Sequence, residues 1–204
     1  LYVTSRKGCT SRVMAPGKER DALEPAPTGT TIAQYAVLQA QGVRGPDDLP
    51  LFKPPYSRIT AIDMNTGEHL WWVPVGETPN RVKNHPKLKG VTVGDTGTGR
   101  VAPMTVTETL LIYQGETSDG APHLFALDKK TGETVWKTDR KVEWNDQDTT
   151  GQNEAAAQRI RDGDHRKAHS TPLVIKTPGG ALQMLSGGAK AAFAYDPKSG
   201  SELW

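Results

Sequence analysis

The sequence predicts an all-β fold built from repeated four-stranded units, and two observations lead to this prediction. The motif Ala-x-Asp-x-x-(Thr/Ser)-Gly-x-x-x-Trp occurs three times, at 61–71, 126–136 and 194–204. Successive copies begin 65 and 68 residues apart, which is the near-regular spacing of a modular array. The chain also holds 21 Gly and 15 Pro among its 204 residues, which suits short strands joined by many turns.

Each copy of the motif predicts a tight hairpin that ends on a tryptophan. In the first copy a strand over 58–62 runs into Asp63, two turn residues, Thr66 and Gly67. The Asp side chain can cap the turn, and Gly takes a positive φ at no steric cost. The chain then reverses into a second strand near Trp71, whose ring can pack flat against the neighbouring repeat. A small Ala at the first motif position leaves room for such a ring.

The first module is predicted to span 1–76, with a strand over 1–5 and a long insertion over 6–56. Within this insertion 6–20 is basic and is expected to be a solvated loop. A short helix is predicted over 30–42, because Thr30 can cap it and Gly42 can end it. Long structured insertions of this kind are often functional.

The second module, 77–138, opens with a polar connection and is predicted to form one complete blade of a β-propeller. Turn residues separate four short apolar segments that can pair in sequence as an up-and-down sheet. The four predicted strands are 101–106, 110–114, 124–128 and 134–138.

The third module, 139–204, is predicted to begin with a polar insertion that carries a helix at 153–161. Four more strands follow at 171–176, 181–186, 191–196 and 202–204. The fold prediction is therefore a β-propeller fragment of about three blades with Trp-docking motifs. Three blades cannot close a ring, and an isolated arc exposes two unpaired edges.

Composition and charge argue against several classes of function. The net charge is +2, which gives no electrostatic case for binding nucleic acid or an anionic membrane. No apolar run approaches the roughly 20 residues that span a bilayer. Cys9 is the single cysteine, so an internal disulfide or a multi-cysteine metal site is excluded. The chain begins at Leu1 with no signal segment, and we expect it to be a piece of a longer protein.

Two polar clusters are weak candidates for metal sites. The segment that begins at Asp146 resembles the start of an EF-hand loop, but Ala157 stands where the bidentate Glu belongs. His165 and His169 are four residues apart, yet Gly163 between the nearby aspartates indicates a loop. A solvated loop is the favoured interpretation of both clusters, and no metal site is predicted within the chain.

The repeat resembles that of the eight-bladed quinoprotein dehydrogenases, which use pyrroloquinoline quinone. The segment Lys-Pro-Pro-Tyr-Ser-Arg-Ile-Thr-Ala-Ile-Asp-Met-Asn-Thr-Gly-Glu-His-Leu-Trp at 53–71 is similar to the glucose-dehydrogenase-like branch of this family. So are Val-Pro-Val-Gly-Glu-Thr-Pro at 73–79, Asn-His-Pro at 84–86 and Gly-Arg-Val-Ala-Pro-Met at 99–104. The resemblance is strong over 49–138 and extends to the strand at 1–5.

This resemblance implies a periplasmic oxidoreductase that transfers electrons from a sugar or alcohol to a bound quinone, with Ca²⁺ beside it. A quinone or cytochrome would then accept the electrons, and any membrane association would come through regions outside this chain. The calcium ligands and the catalytic Asp of the family match no position here. The chain alone is therefore expected to be inactive.

The resemblance also suggests cofactor contacts. A basic residue after the strand at 1–5 contacts the quinone in this branch, and Arg12 is the nearest candidate by spacing. Arg6, Lys7 and Lys18 are its rivals. In related enzymes the strand equivalent to Arg100–Met104 lies innermost, so Gly99 and Arg100 are predicted to border the cofactor. The alternative for Arg100 is a surface arginine at a strand start.

The third module departs from the resemblance, because in this branch the chain usually ends soon after the blade at 98–138. Residues 139–204 are more similar to quinoprotein-like propellers that bind no quinone, including outer-membrane assembly scaffolds. The alternative function is therefore a non-catalytic propeller that acts as a binding or assembly scaffold.

Overall fold

The computed structural model describes residues 1–16, 35–139, 145, 148–161, 171–188 and 191–204, and these residues form a mainly β structure. The short helices are α1 (Asn80–Lys83) and α2 (Glu154–Arg161), with 3-10 turns at Pro46–Asp48 and Pro86–Leu88. The strands in chain order are β1 (Tyr2–Arg6), β2 (Thr10–Pro16), β3 (Tyr35–Gly42), β4 (Ser57–Ile62), β5 (His69–Pro74), β6 (Met104–Val106), β7 (Leu110–Glu116), β8 (Pro122–Asp128), β9 (Thr134–Asp139), β10 (Leu173–Lys176), β11 (Leu182–Gly187) and β12 (Ala192–Tyr195).

Three antiparallel sheets follow one another along the chain, in the manner of propeller blades. Blade 1 has the strand order β1-β4-β5, blade 2 has β6-β7-β8-β9 and blade 3 has β10-β11-β12. In blade 3 a bridge between Tyr195 and Glu202 starts a fourth pairing. The predicted all-β class and the propeller-type blades are confirmed.

The chain divides into two compact units. One comprises Leu1–Arg6 and Pro54–Trp204 and contains the three blades; we call it the blade unit. The other comprises Lys7–Lys53 and contains the two-stranded sheet β2-β3; we call it the hairpin unit.

Two predictions for the hairpin unit are wrong. The predicted helix over 30–42 is a strand in its described part, because β3 pairs with β2 from Thr10 opposite Gly42 to Pro16 opposite Tyr35. The predicted basic loop over 6–20 likewise contains β2, so Arg12 lies in a strand. Pairing satisfies the backbone groups of both segments, and this tertiary interaction overrides the helix propensity of Ala, Leu and Gln.

The motif turns have the predicted geometry in all three copies. Asp63, Asp128 and Asp196 each accept a hydrogen bond from the backbone N–H two residues later, at 2.7 Å in every case. The motif glycines Gly67, Gly132 and Gly200 all have positive φ, between 73° and 77°. The Asp cap and the Gly conformation together set the reversal that starts each outer strand.

Each of the first two motif tryptophans packs on the motif glycine of the next blade. A Cβ atom added to Gly132 would lie 2.8 Å from the Trp71 ring, and one added to Gly200 would lie 2.6 Å from the Trp136 ring. The indole Nε1 of Trp136 also donates to the Pro197 carbonyl at 3.2 Å. The glycine is therefore required for close approach as well as for its φ.

Two apolar cores lie between the three blades. The core between blades 1 and 2 includes Ile59, Leu111 and Leu127, with Trp71 packed against it. The core between blades 2 and 3 includes Trp136 and Tyr195, and Trp136 is only 8% exposed. Face-to-face packing of successive sheets, with a tryptophan at the margin of each core, holds the blade unit together.

Replacing Trp136 with Ala is expected to lower the free energy of unfolding by about 3–5 kcal/mol, because it empties the core between blades 2 and 3. Urea denaturation followed by circular dichroism measures the loss. Trp72→Ala is the control and should cost less than half as much, since Trp72 is already 49% exposed. Equal losses in the two variants would contradict the docking geometry.

Gly132→Ala and Gly67→Ala form a matched pair that isolates the docking contact. Both glycines have nearly the same φ, 77° and 76°, so both variants carry a similar backbone strain of about 1–2 kcal/mol. Only Gly132→Ala also collides with a ring, since no atom of the described residues lies within 4 Å of a Cβ at Gly67. Overpacking should add about 1–3 kcal/mol to the loss at Gly132 in the same urea assay. If the two variants lose the same free energy of unfolding, the Trp71 ring does not pack on Gly132.

Candidate functional site

The long connections of the blade unit all emerge at one edge of its sheets. The strands of each blade run antiparallel in sequence order, so successive connections alternate between two edges. The short Asp–Gly motif turns occupy one edge. At the other edge are the connections 75–103 and 117–121, together with the strand ends that lead into 7–53 and into 140–172. Variable loops on a rigid scaffold are where binding sites concentrate, so this long-loop edge is the candidate functional edge.

A Gly-rich and Thr-rich segment at 94–100 is held tightly against blade 1 at the long-loop edge. Thr98 N donates to the Val75 carbonyl at 2.9 Å, and Tyr56 N donates to the Thr96 carbonyl at 2.7 Å. Gly97 approaches blade 1 so closely that an added Cβ would lie 2.5 Å from the Ser57 carbonyl oxygen. These contacts fix the segment that carries the predicted cofactor neighbours.

Gly99 and Arg100 have defined partners in this segment. Gly99 has a φ of 82° and its N–H donates to the buried Ser57 hydroxyl at 3.0 Å. Arg100 pairs with Glu116 at 3.2 Å, and its side chain is 65% exposed. The Glu116 side chain is only 17% exposed, so an anionic ligand must share the guanidinium with Glu116. The remaining N–H donors of the guanidinium suit a carboxylate.

Of the other predicted basic contacts, Arg6 lies in blade 1 opposite Ser57, whereas Lys7, Arg12 and Lys18 belong to 7–53. Arg12 is an exposed residue of β2 in the hairpin unit, where its Cα pairs with that of Ala40. Arg6 ends β1, and the Lys7 ammonium donates to the Lys53 carbonyl at 3.3 Å within the hairpin unit. Lys18 lies outside the described residues. The structure therefore brings Gly99 and Arg100 together and describes Arg12 in a separate unit.

A cleft of about 340 Å³ between blades 1 and 2 was not predicted from the sequence. Its polar lining includes Glu77, whose Oε1 accepts from the Lys137 ammonium at 2.8 Å. Glu77 Oε2 accepts from both the N–H and the hydroxyl of Ser118, at 2.9 and 3.0 Å. Burial acts to raise the pKa of Glu77, but Lys137 and Ser118 outweigh it and hold the pKa below its ordinary value.

Tyr113 forms the apolar wall of the same cleft together with Phe125. The two rings stack at 5.1 Å between centroids, and Tyr113 is 3% exposed. Burial raises the pKa of Tyr113 to about 12, despite a long 3.5 Å hydrogen bond from Gly76 N to its hydroxyl. The hydroxyl is therefore a neutral group at physiological pH, and the cleft combines one ion pair with an aromatic wall.

The described residues contain no group of three or more His, Cys, Asp or Glu side chains that could hold a metal ion. In the EF-hand-like segment, Asp148 Oδ1 accepts from the N–H and hydroxyl of Thr150 at 2.9 and 2.6 Å, as in an ordinary capped turn. Asp146, His165 and His169 lie outside the described residues. Among the described helices, none has the length and apolar character needed to cross a membrane.

Comparison with known proteins gives one family match. Residues 2–150 match the family model "PQQ: Glucose/ethanol/alcohol dehydrogenase, beta-propeller domain". This range runs from β1 through the whole of blade 2. No curated protein matches the sequence.

Two solved structures are similar to parts of the chain. BamB from Moraxella catarrhalis is 18% identical with a TM-score of 0.38, and a europium-containing methanol dehydrogenase is 16% identical with a TM-score of 0.37. Each similarity covers 72% of this chain, but only 29% and 21% of those two chains respectively. The chain thus spans less than a third of either structure.

Glu77→Gln is expected to lower the free energy of unfolding by about 1–2 kcal/mol at pH 7, because it removes charge-assisted hydrogen bonds from Lys137 and Ser118. The folded pKa of Glu77 is depressed, so its contribution is present above the unfolded pKa and is lost as pH falls through the folded pKa. Urea unfolding at pH 7 and at pH 3 measures this difference.

The gap between wild type and Glu77→Gln should therefore shrink on acidification. Glu108→Gln, at an exposed position in the turn between β6 and β7, is the control and should change little at either pH. A gap that stays constant from pH 7 to pH 3 would show that Glu77 does not stabilise the fold through its charge.

Proposed function

Because the chain belongs to the PQQ glucose/ethanol/alcohol dehydrogenase β-propeller family, we propose that it is part of a quinone-dependent dehydrogenase that oxidises a sugar or an alcohol. The observation that carries the proposal is the family match over residues 2–150, which includes Gly99 and Arg100. The proposal of the glucose-dehydrogenase-like branch rests on the sequence segments at 53–71, 73–79, 84–86 and 99–104.

The long-loop edge has donors that fit a carboxylated quinone. Arg100 presents a guanidinium that is largely exposed and is paired on one side with Glu116 at 3.2 Å. Gly99 presents bare backbone, since the nearest atom to an added Cβ is Tyr56 Cβ at 3.8 Å. A planar ring can therefore approach the Gly99 backbone while Arg100 binds a carboxylate at its edge. In the hairpin unit, Arg12 is the second proposed carboxylate contact.

Pyrroloquinoline quinone, when bound, supplies the two-electron redox chemistry. The roles proposed for this chain are binding and orientation. Arg100 neutralises ligand charge, and Ser57 holds the Gly99 backbone in place through its hydroxyl. The segment 94–100 is fixed by backbone hydrogen bonds, so its donors are preorganised and little ordering entropy opposes binding.

The wider setting of the enzyme is part of the same proposal. A Ca²⁺ ion is proposed to lie beside the quinone, bound by oxygen ligands from outside this chain. It would act as a Lewis acid. The electrons would pass to a quinone or cytochrome acceptor, and the reaction would take place in the periplasm. The catalytic base is likewise proposed to come from outside this chain.

The proposal is tested by titrating the purified chain with pyrroloquinoline quinone, with and without Ca²⁺, and following quinone absorbance and tryptophan fluorescence. We expect saturable binding that Arg100→Ala weakens about tenfold, as the loss of one charged hydrogen bond predicts. Arg12→Ala tests the second contact in the same way. Arg44→Ala is the matched control, since Arg44 is also an exposed arginine in an ion pair, with Asp48.

Two results would contradict the proposed contacts. If the correctly folded chain binds no quinone, these residues do not form a cofactor site. If Arg44→Ala weakens quinone binding as much as Arg100→Ala does, the effect is only one of net charge. Dye-linked oxidation of a sugar or alcohol by the full-length protein, dependent on added quinone, would separate the dehydrogenase from an assembly scaffold of the same fold.

A further inference from the structure

The cleft between blades 1 and 2 has no role in the proposed quinone contacts, since neither Gly99 nor Arg100 lines it. Its volume of about 340 Å³ is at the small end of the range for ligand-binding pockets. Both of its walls come from the blade unit, in which blades 1 and 2 are consecutive. The cleft is therefore a second place in this chain where a small ligand can bind.

Backbone contacts fix one side of the cleft. Gly76 has a φ of 69° and approaches blade 2 so closely that an added Cβ would lie 2.7 Å from the Glu116 carbonyl oxygen. Glu77 N donates to that carbonyl at 2.9 Å, and Asn80 N donates to the Ser118 carbonyl at 2.7 Å. The connection after β5 is thus held against blade 2, and a ligand meets a preformed site.

The Tyr113 hydroxyl lines this cleft and has an unused hydrogen. The side chain is 3% exposed, and its oxygen accepts one long hydrogen bond, from Gly76 N at 3.5 Å. Among the described residues, no acceptor receives the phenolic hydrogen. Because buried donors are normally paired, this hydrogen favours an occupant that offers an acceptor.

Three further polar groups of the cleft have unused hydrogen-bonding capacity. In the part of the chain that the structure describes, neither the Asp95 carboxylate nor the Thr134 hydroxyl has a hydrogen-bond or ion-pair partner. The Lys137 ammonium donates to Glu77 at 2.8 Å and has two further hydrogens to donate. The cleft therefore offers donors, an acceptor and a hydroxyl that can act as either.

This mixture of groups selects the class of ligand. A simple cation offers only donors and would leave the Tyr113 hydrogen without an acceptor. A simple anion would be repelled, because the two carboxylates of Glu77 and Asp95 outweigh the one ammonium of Lys137 in the lining. A hydroxyl group both donates and accepts, so a neutral ligand with several hydroxyls matches all of these groups.

The apolar part of the lining sets the shape of this ligand. Val73 and Pro74 are half-buried and form one side at the end of β5. Phe125 lies in the floor and is 6% exposed, so it offers a ring edge rather than a stacking platform. One sugar ring, with hydroxyls at its rim and C–H groups on its faces, complements both the polar and the apolar lining.

We propose that the cleft between blades 1 and 2 binds a monosaccharide or a cyclic polyol through Tyr113, Asp95 and Lys137. The sugar would contact the connection 75–103 through Asp95 and blade 2 through the other two residues. It would thereby hold to blade 2 the connection that carries Gly99 and Arg100. The site shares no residue with the proposed quinone contacts, so it does not depend on quinone chemistry.

Titration of the purified chain with D-glucose, followed by proton–nitrogen correlation NMR, tests this proposal. We expect saturable shifts with a dissociation constant in the millimolar range, since one sugar ring makes few contacts. The shifts should be largest for the backbone N–H groups of Gly76, Asp95 and Lys137 and small for Gly200 at a motif turn. Choline, as a simple cation, and acetate, as a simple anion, should give no saturable shifts in the cleft.

Two variants remove one contact each. Tyr113→Phe keeps the ring that stacks on Phe125 and should raise the dissociation constant for glucose about fivefold, whereas Asp95→Ala removes a charged acceptor and should raise it about tenfold. Tyr195→Phe, in the core between blades 2 and 3, and Glu108→Ala, at an exposed carboxylate, are the matched controls and should leave it unchanged. The same spectra show whether each variant is folded.

Three results would overturn the proposal. If glucose gives no saturable shifts up to hundreds of millimolar, the cleft is not a sugar site. If choline binds there instead, the cleft is a cation site. If Tyr113→Phe and Asp95→Ala weaken glucose binding no more than the controls do, the sugar binds outside the cleft. The quinone titration with Arg100→Ala is a separate measurement, so either proposal can fail while the other stands.

Discussion

The contact between a motif tryptophan and the motif glycine of the next repeat is the interaction on which the blade unit depends. It places a large ring on bare backbone, which only glycine permits, and the same glycine must take a positive φ to make the turn. One residue therefore serves both the reversal within a blade and the spacing between blades. This double requirement explains why a short motif determines the arrangement of three sheets.

That spacing also creates the candidate functional edge. The motif turns hold one edge of the sheets with short and rigid reversals, which leaves the opposite edge for the long connections. The segment 94–100 is fixed there by hydrogen bonds to β4 and to Val75, so Gly99 and Arg100 are displayed from rigid backbone. The Glu77–Lys137 pair fixes the start of the same connection to blade 2.

The repeat was sufficient to predict most of the blades, because each copy encodes a local hairpin with its own Asp cap and Gly turn. The strands β7, β8 and β9 lie close to their predicted positions for this reason. The hairpin unit was mispredicted because the segment ending at Gly42 has good helix formers, while its strand conformation depends on a partner, β2, that is distant in sequence. Local propensity carries no information about such a partner.

The site was only partly accessible to sequence reasoning. Gly99 and Arg100 were found through a resemblance, and the structure supplied their partners, Ser57 and Glu116. The cleft was missed, because Glu77 and Lys137 are 60 residues apart and neither belongs to the motif. The single local signal for Lys137 is its position directly after the motif residue Trp136.

The central claim, that tryptophan rings pack on motif glycines, is tested most directly by proton NMR of the purified chain. A tryptophan ring stacked on a glycine shields the Hα protons of that glycine. The structure predicts strong upfield shifts for the Hα protons of Gly132 and Gly200 and ordinary shifts for those of Gly67. Ordinary shifts at all three glycines in a folded chain would contradict the account.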